Sequence, residues 1–228
     1  MTQAKSFKPR PSREEVLLLP LFQGLKLEQI HTLDTAAEFE AARRAIESEK
    51  FVGFDTESKP TFAKDVVRLG PHVIQFALQE SAYIVQVQHP HALAFLKSVL
   101  ESEEIIKVGF GLRSDRLPLS GNLGINLRGG VDLSHALRTL GYKNELGIRA
   151  AVAVVLHQRL GKSKRVTLSN WAAKHLRPEQ LLYAANDAYA ALKVFCAIGS
   201  PDSPALVPDD DEDATPAQVG DRIDPSRG

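Results

Sequence analysis

One cysteine in 228 residues leaves no partner for an internal disulfide and no thiolate set for a zinc site. A reducing compartment is compatible with that. Long apolar runs are also missing. The longest, residues 150–156, holds seven residues, against the ~20 that a membrane-spanning helix needs. The first fifteen residues, MTQAKSFKPRPSREE, contain no apolar stretch of the secretory type, and the expected location is intracellular, in the cytoplasm. An excess of one charge is absent too, since 28 basic and 28 acidic residues cancel. His72, His89, His91, His135, His157 and His175 show no metal-ligand spacing, so structural roles are expected of them. Cys196, on an apolar stretch, is expected to be buried and inert.

What is present is unevenly placed. Residues 200–228 carry eight acidic and two basic side chains and five of the 13 prolines. Such a segment buries too little apolar surface to fold and reads as a disordered acidic tail. The remainder carries a net charge of +6, compatible with a polyanionic partner and with many other functions. Residues 1–28 read as a flexible N-terminal arm, leaving one domain over residues 29–199. Apolar runs at 51–55, 72–79, 82–87 and 105–110 predict strands, the middle two as a hairpin. A shorter β-like run lies at 29–33. Helical patterns cover 35–49 (Thr35 as N-cap, Glu38 three residues on), 93–100, 131–140, 145–160, 169–175 and 178–197, with another helix near Ser114. Residues 161–166, GKSKRV, read as a basic loop. Early strands followed by helices imply a single-domain α/β layer fold.

Carboxylates interrupt these buried segments at three places. Asp55 and Glu57 end the run FVGFDTE, and side chains two apart on a strand share a face. Two carboxylates so close repel unless one protonates or a cation intervenes; the plainer reading is an exposed, acidic strand end. Asp115 follows the strand at 105–110, where sites gather in α/β sheets; the plainer reading is a helix cap. Tyr183 and Asp187 are four apart on one helix, hence on one face, with small residues between; the plainer reading is a core-edge tyrosine beside a surface aspartate.

In order and spacing, FVGFDTES, IIKVGFGLRSDRLPL and RVTLSNWAAKHLRPEQLLYAANDAYAALKVF resemble the motifs of the DEDD superfamily of 3′–5′ exonucleases, in its DEDDy subgroup. The resemblance runs from about residue 29 to 195. It is greatest to Werner-type exonuclease domains and more distant to ribonuclease D. It implies a ribonuclease H-like mixed sheet, largely parallel and flanked by helices. It also implies two divalent metal ions, Mg²⁺ or Mn²⁺, held by Asp55, Glu57, Asp115 and Asp187. Asp55 would touch both ions, Glu57 and Asp187 would complete the first site, and Asp115 would serve the second. Tyr183 would orient the attacking water, because a phenol of reference pKa ~10 is a poor base at neutral pH. Glu57 would contact that water or the terminal 3′ hydroxyl. The implied partner is single-stranded or 3′-recessed nucleic acid, with no membrane, and the product a nucleoside 5′-monophosphate. Lys162, Lys164, Arg165 and Arg113 are candidate phosphate contacts, with a solvated surface as the plainer reading. Trp171 reads either as a base-stacking platform or as core. Two other functions fit the same fold: a non-catalytic nucleic-acid-binding adaptor, and ribonuclease D-like trimming of RNA.

Overall fold

Alternation along residues 51–57 decides how the molecule is layered. The even side chains Val52 and Phe54 enter one apolar cluster with Ile74 and Phe76, while Phe51 packs on Phe195 across the other face. Odd and even positions of a strand point to opposite faces, so Phe51, Gly53, Asp55 and Glu57 share the second face. The computed structural model describes residues 8–61, 70–142, 144–161 and 163–198.

In chain order the elements are α1 (Arg13–Leu18), β1 (Ile30–Thr32), α2 (Ala36–Glu47), β2 (Phe51–Glu57), β3 (Val73–Ala77), β4 (Ala82–Gln86), α3 (Ala92–Leu100), β5 (Ile106–Gly109), α4 (Leu112–Leu123), β6 (Gly130–Asp132), α5 (Leu133–Ala136), α6 (Ile148–Leu156), α7 (Lys164–Thr167) and α8 (Pro178–Ile198). Six strands form one sheet in the order β1-β4-β3-β2-β5-β6. The β2–β3 and β3–β4 pairs are antiparallel and the other three parallel. Helices α2, α3 and α4 cover the face that holds Phe54, and α6 and α8 cover the opposite one. This is the mixed α/β architecture of the ribonuclease H-like kind.

Helix α8 lies unusually close to the sheet. A Cβ on Gly53 would stand 2.1 Å from the Ala188 carbonyl oxygen, so only glycine fits beneath the helix backbone. Ala184, Ala185 and Ala188, all buried, extend the same close approach. By length and composition α8 is apolar enough to cross a bilayer; here that apolarity is spent on the core of the fold.

Several sequence expectations hold in detail. Thr35 caps α2, accepting from the Glu38 amide while the Glu38 carboxylate accepts from the Thr35 amide, a reciprocal box worth about 1 kcal/mol. Others are corrected. Residues 131–140 do not form one helix: Gly130–Asp132 pairs in parallel with β5 as an edge strand, and helix begins only at Leu133. The helix expected over 145–160 spans Ile148–Leu156 and stops at His157, whose φ is 53°. Residues 164–166, expected as part of a loop over 161–166, form with Thr167 the helical turn α7. Residues 169–175, expected as helix, are irregular. The Ser169 hydroxyl donates to Val166 O and the Asn170 side chain accepts from the Ala172 amide, so side-chain hydrogen bonds replace the helical ladder.

Within the arm expected over residues 1–28, α1 has its own capping box, Ser12 with Glu15. The next stretch is docked: the Phe22 amide donates to Arg159 O at 3.0 Å and the Arg159 amide to Pro20 O at 2.8 Å. Asn186 of α8 then clamps Leu25, accepting from its amide at 2.6 Å and donating to its carbonyl at 3.2 Å. Cys196 is exposed rather than buried, because it falls on the outward side of α8. The acidic tail at 200–228 lies outside the described residues.

Candidate active site

Strand β2 carries Asp55 and Glu57 on the face toward α8, and α8 brings Asp187 down onto that face. Oxygen atoms of these three carboxylates lie within 4.8 Å of one another. Asp187 is buried, 3% exposed. Among the described residues this is the one group of three acidic, histidine or cysteine side chains close enough to share an ion. Three like charges at that separation, one of them desolvated, call for a cation. The donors are all carboxylate oxygens, which suits hard divalent ions such as Mg²⁺, Mn²⁺ or Ca²⁺, and the Cys and His of structural zinc sites are missing from the group. The residues therefore fit a divalent-ion site.

Asp115 comes from the other side of β2. It stands in the first turn of α4, which leaves β5 through Gly111 at φ 73°. Thr56, pointing away from Asp55 and Glu57, donates its hydroxyl to Asp115 Oδ1 at 2.8 Å. The residue between the two motif carboxylates thus ties the third to the same strand. Burial pushes the Asp115 carboxyl up to about 6, with the Thr56 hydrogen bond opposing and the nearby Asp132 charge adding to the rise. Asp132 ends β6 and is itself satisfied, accepting at Oδ1 from the Gly111 amide, the Ser134 amide and the Ser134 hydroxyl.

Tyr183 sits one turn before Asp187 on α8, and its phenolic oxygen accepts a hydrogen bond from Thr167 Oγ1 at 3.0 Å. Thr167 ends α7, so the turn that carries Lys164 and Arg165 is fastened beside Tyr183. A cavity of about 380 Å³ opens there, with Leu21, Phe22, Leu25 and Val166 among its walls and Tyr183 and Asp187 at its margin.

The candidate phosphate contacts are dispersed. Lys164 and Arg165 are exposed on α7, and Arg165 stands 3.8 Å from Glu179, which also pairs with Arg177 at 3.0 Å. Arg113 is exposed on α4. Lys162 lies outside the described residues. Trp171 is core: it is fully buried and its indole N–H donates to Thr167 O at 3.2 Å, so it offers no stacking platform. Thr56, Thr167 and Asp132 escaped the sequence reading. A short polar residue beside a motif carries no pattern of its own, and each is recognisable only from what it touches in space.

Known proteins resemble this chain over most of its described length. A family described as 3′-5′ exonuclease matches residues 30–200. A 3′-5′ exonuclease of Arabidopsis thaliana is 30% identical over 148 residues, 64% of this chain and 51% of that protein. The bifunctional 3′-5′ exonuclease/ATP-dependent helicase WRN of Mus musculus is 33% identical over 152 residues, 65% of this chain and 11% of that protein. The chain thus spans about half the length of one relative and about a tenth of the other. Among solved structures, RNase D of Trypanosoma brucei in complex with RNA U12 shares the fold, with a TM-score of 0.64 and 20% identity over 84% of this chain and 66% of that one.

Proposed function

The chain belongs to the 3′-5′ exonuclease family, and from that premise we propose that it hydrolyses phosphodiester bonds at the 3′ ends of nucleic acid, releasing nucleoside 5′-monophosphates. The observation that carries the reading is the convergence of Asp55, Glu57 and Asp187 within 4.8 Å. Asp55, Glu57 and Asp187, with Asp115 alongside, would hold two divalent ions of the Mg²⁺ or Mn²⁺ type. Such a pair, when bound, supplies Lewis-acid stabilisation of the attacking and leaving oxygens of an in-line displacement.

The chain's own groups do the rest. Tyr183, its hydroxyl oriented by Thr167, aligns the attacking water. Glu57, grouped with Asp55 and Asp187, accepts from that water or from the terminal 3′ hydroxyl. Attack forms a bond from the water oxygen to phosphorus and breaks the bond from phosphorus to the 3′ oxygen of the preceding nucleotide, which takes up a proton and becomes the new 3′ end. Arg113, Lys164 and Arg165 serve the strand electrostatically, which makes binding salt-dependent. The catalytic unit spans residues 29–199 together with the docked stretch around Phe22 and Leu25, with residues 200–228 as an acidic appendage.

A second substrate reading, RNA, is favoured by the fold shared with an RNase D that is seen with bound RNA. One experiment addresses chemistry and substrate together. Matched 5′-labelled DNA and RNA oligomers are incubated with the protein and Mg²⁺, Mn²⁺ or EDTA. A ladder shortening from the 3′ end only with divalent ion is expected, abolished by Asp55→Asn and Asp187→Ala in variants that keep the wild-type circular dichroism spectrum. Trimming at the wild-type rate by either variant would overturn the reading.

A further inference from the structure

Gln75 is the least expected side chain in the interior. It is 0% exposed, and neither Oε1 nor Nε2 reaches a hydrogen-bond partner within the protein. Buried amides are almost always paired, and an unmet one costs about 1–3 kcal/mol. Its neighbours two residues away on β3, Val73 and Ala77, pack against the alanines of α8, so Gln75 occupies the layer between the sheet and α8. In the antiparallel register its direct partner on β2 is Asp55. Side chains of such pairs share a face with Cβ atoms about 4.5–5.5 Å apart. Gln75 is therefore a buried, unsatisfied amide in the layer of Asp55, Glu57 and Asp187, immediately beside the first of them.

We propose that Gln75 is a positioning residue for Asp55. Its amide N–H groups hold the Asp55 carboxylate through one buried water, in the orientation that a divalent ion requires. Each carboxylate oxygen carries two lone pairs, so an oxygen that binds an ion still accepts a hydrogen bond, and a neutral amide acting through water supplies one without adding charge. Losing such an outer partner costs a metal site about 10–100-fold in affinity. The proposal rests on the divalent-ion reading above.

The test is Mn²⁺ binding, followed by electron paramagnetic resonance of the free ion, on the wild-type chain and on Gln75→Leu and Gln75→Met. The expected result is Mn²⁺ affinity lower by about 10–100-fold in both, with the thermal midpoint of the metal-free variants no lower than wild type. A filler role would reverse this, lowering the midpoint and leaving Mn²⁺ affinity alone; unchanged affinity overturns the proposal. Should both variants fail to fold, the wild-type chain decides. The Gln75 side-chain amide resonance shifts on titration with Mg²⁺ if the proposal holds, and stays still if it does not. Absence of Mn²⁺ binding to the wild-type chain sinks the divalent-ion reading and the proposal together. Wild-type binding with unaffected variants sinks the proposal alone.

Discussion

Asp115 shows how one side chain can be worse for the fold than for the function. Its carboxyl is raised from 3.8 to about 6. The folded state therefore holds a proton that the unfolded state releases earlier. Stability of the metal-free protein falls as pH climbs through the window from 3.8 to about 6, and the loss persists above it, at about 3 kcal/mol. Asp115→Asn should remove that slope and make the metal-free protein more stable at pH 7 while weakening Mn²⁺ binding. Urea titrations in EDTA between pH 4 and 7 measure the first effect, and a variant no more stable than wild type at pH 7 would refute it. The carboxylates were legible in the sequence because a charge inside an apolar run needs an explanation. Thr56, which holds Asp115 at 2.8 Å, was not legible. Its contact is 59 residues away in the chain, and nothing in a threonine announces its partner.

At the scale of elements, the site depends on how close α8 can come to β2, and Gly53 sets that distance. Gly53→Ala places a methyl 2.1 Å from a helix carbonyl. The helix has to retreat, at a cost of about 1–3 kcal/mol for overpacking, carrying Asp187 away from Asp55 and Glu57. Turnover should therefore drop far more than stability does. Comparing kcat with the urea midpoint checks this, and a proportionate fall in both would contradict it. Long periodic segments such as α2, α8 and the β3–β4 hairpin could be read from sequence because burial imposes their spacing. The three-residue strand β6 could not, since its hydrogen bonds come from β5 rather than from any pattern of its own. Residues 169–175 misled for the opposite reason. Their composition suits a helix, but Ser169 and Asn170 spend their side chains on the backbone.

At the scale of the whole molecule, the described residues bury polar side chains at two points of the sheet, Gln75 beside Asp55 and Lys107 on β5. Lys107 on β5 is 0% exposed, and desolvation pushes its ammonium down to about 7 from 10.5, against a small opposing pull from Glu103. Between those values the unfolded chain binds the proton that the folded chain has lost, so stability rises with pH from about 7 to 10.5. Lys107→Met should flatten that rise and stabilise the protein most near neutrality. Unfolding midpoints measured from pH 7 to 10 would show it, and an undiminished slope in the variant would rule it out. The resemblance implied a mixed sheet, but the order of its strands was not legible, because strand adjacency is set by crossovers that leave no local trace.

The placement of β2 has a further consequence. It is paired on both sides, antiparallel to β3 and parallel to β5, and its two faces differ completely. A slip of one residue would turn Asp55 and Glu57 into the oily layer beneath α2 and α3 and put Phe54 on the face that holds Asp187. A misaligned molecule would thus be catalytically dead and aggregation-prone at once. Preparations of this protein should contain fully competent enzyme and precipitate, with no soluble population of intermediate specific activity.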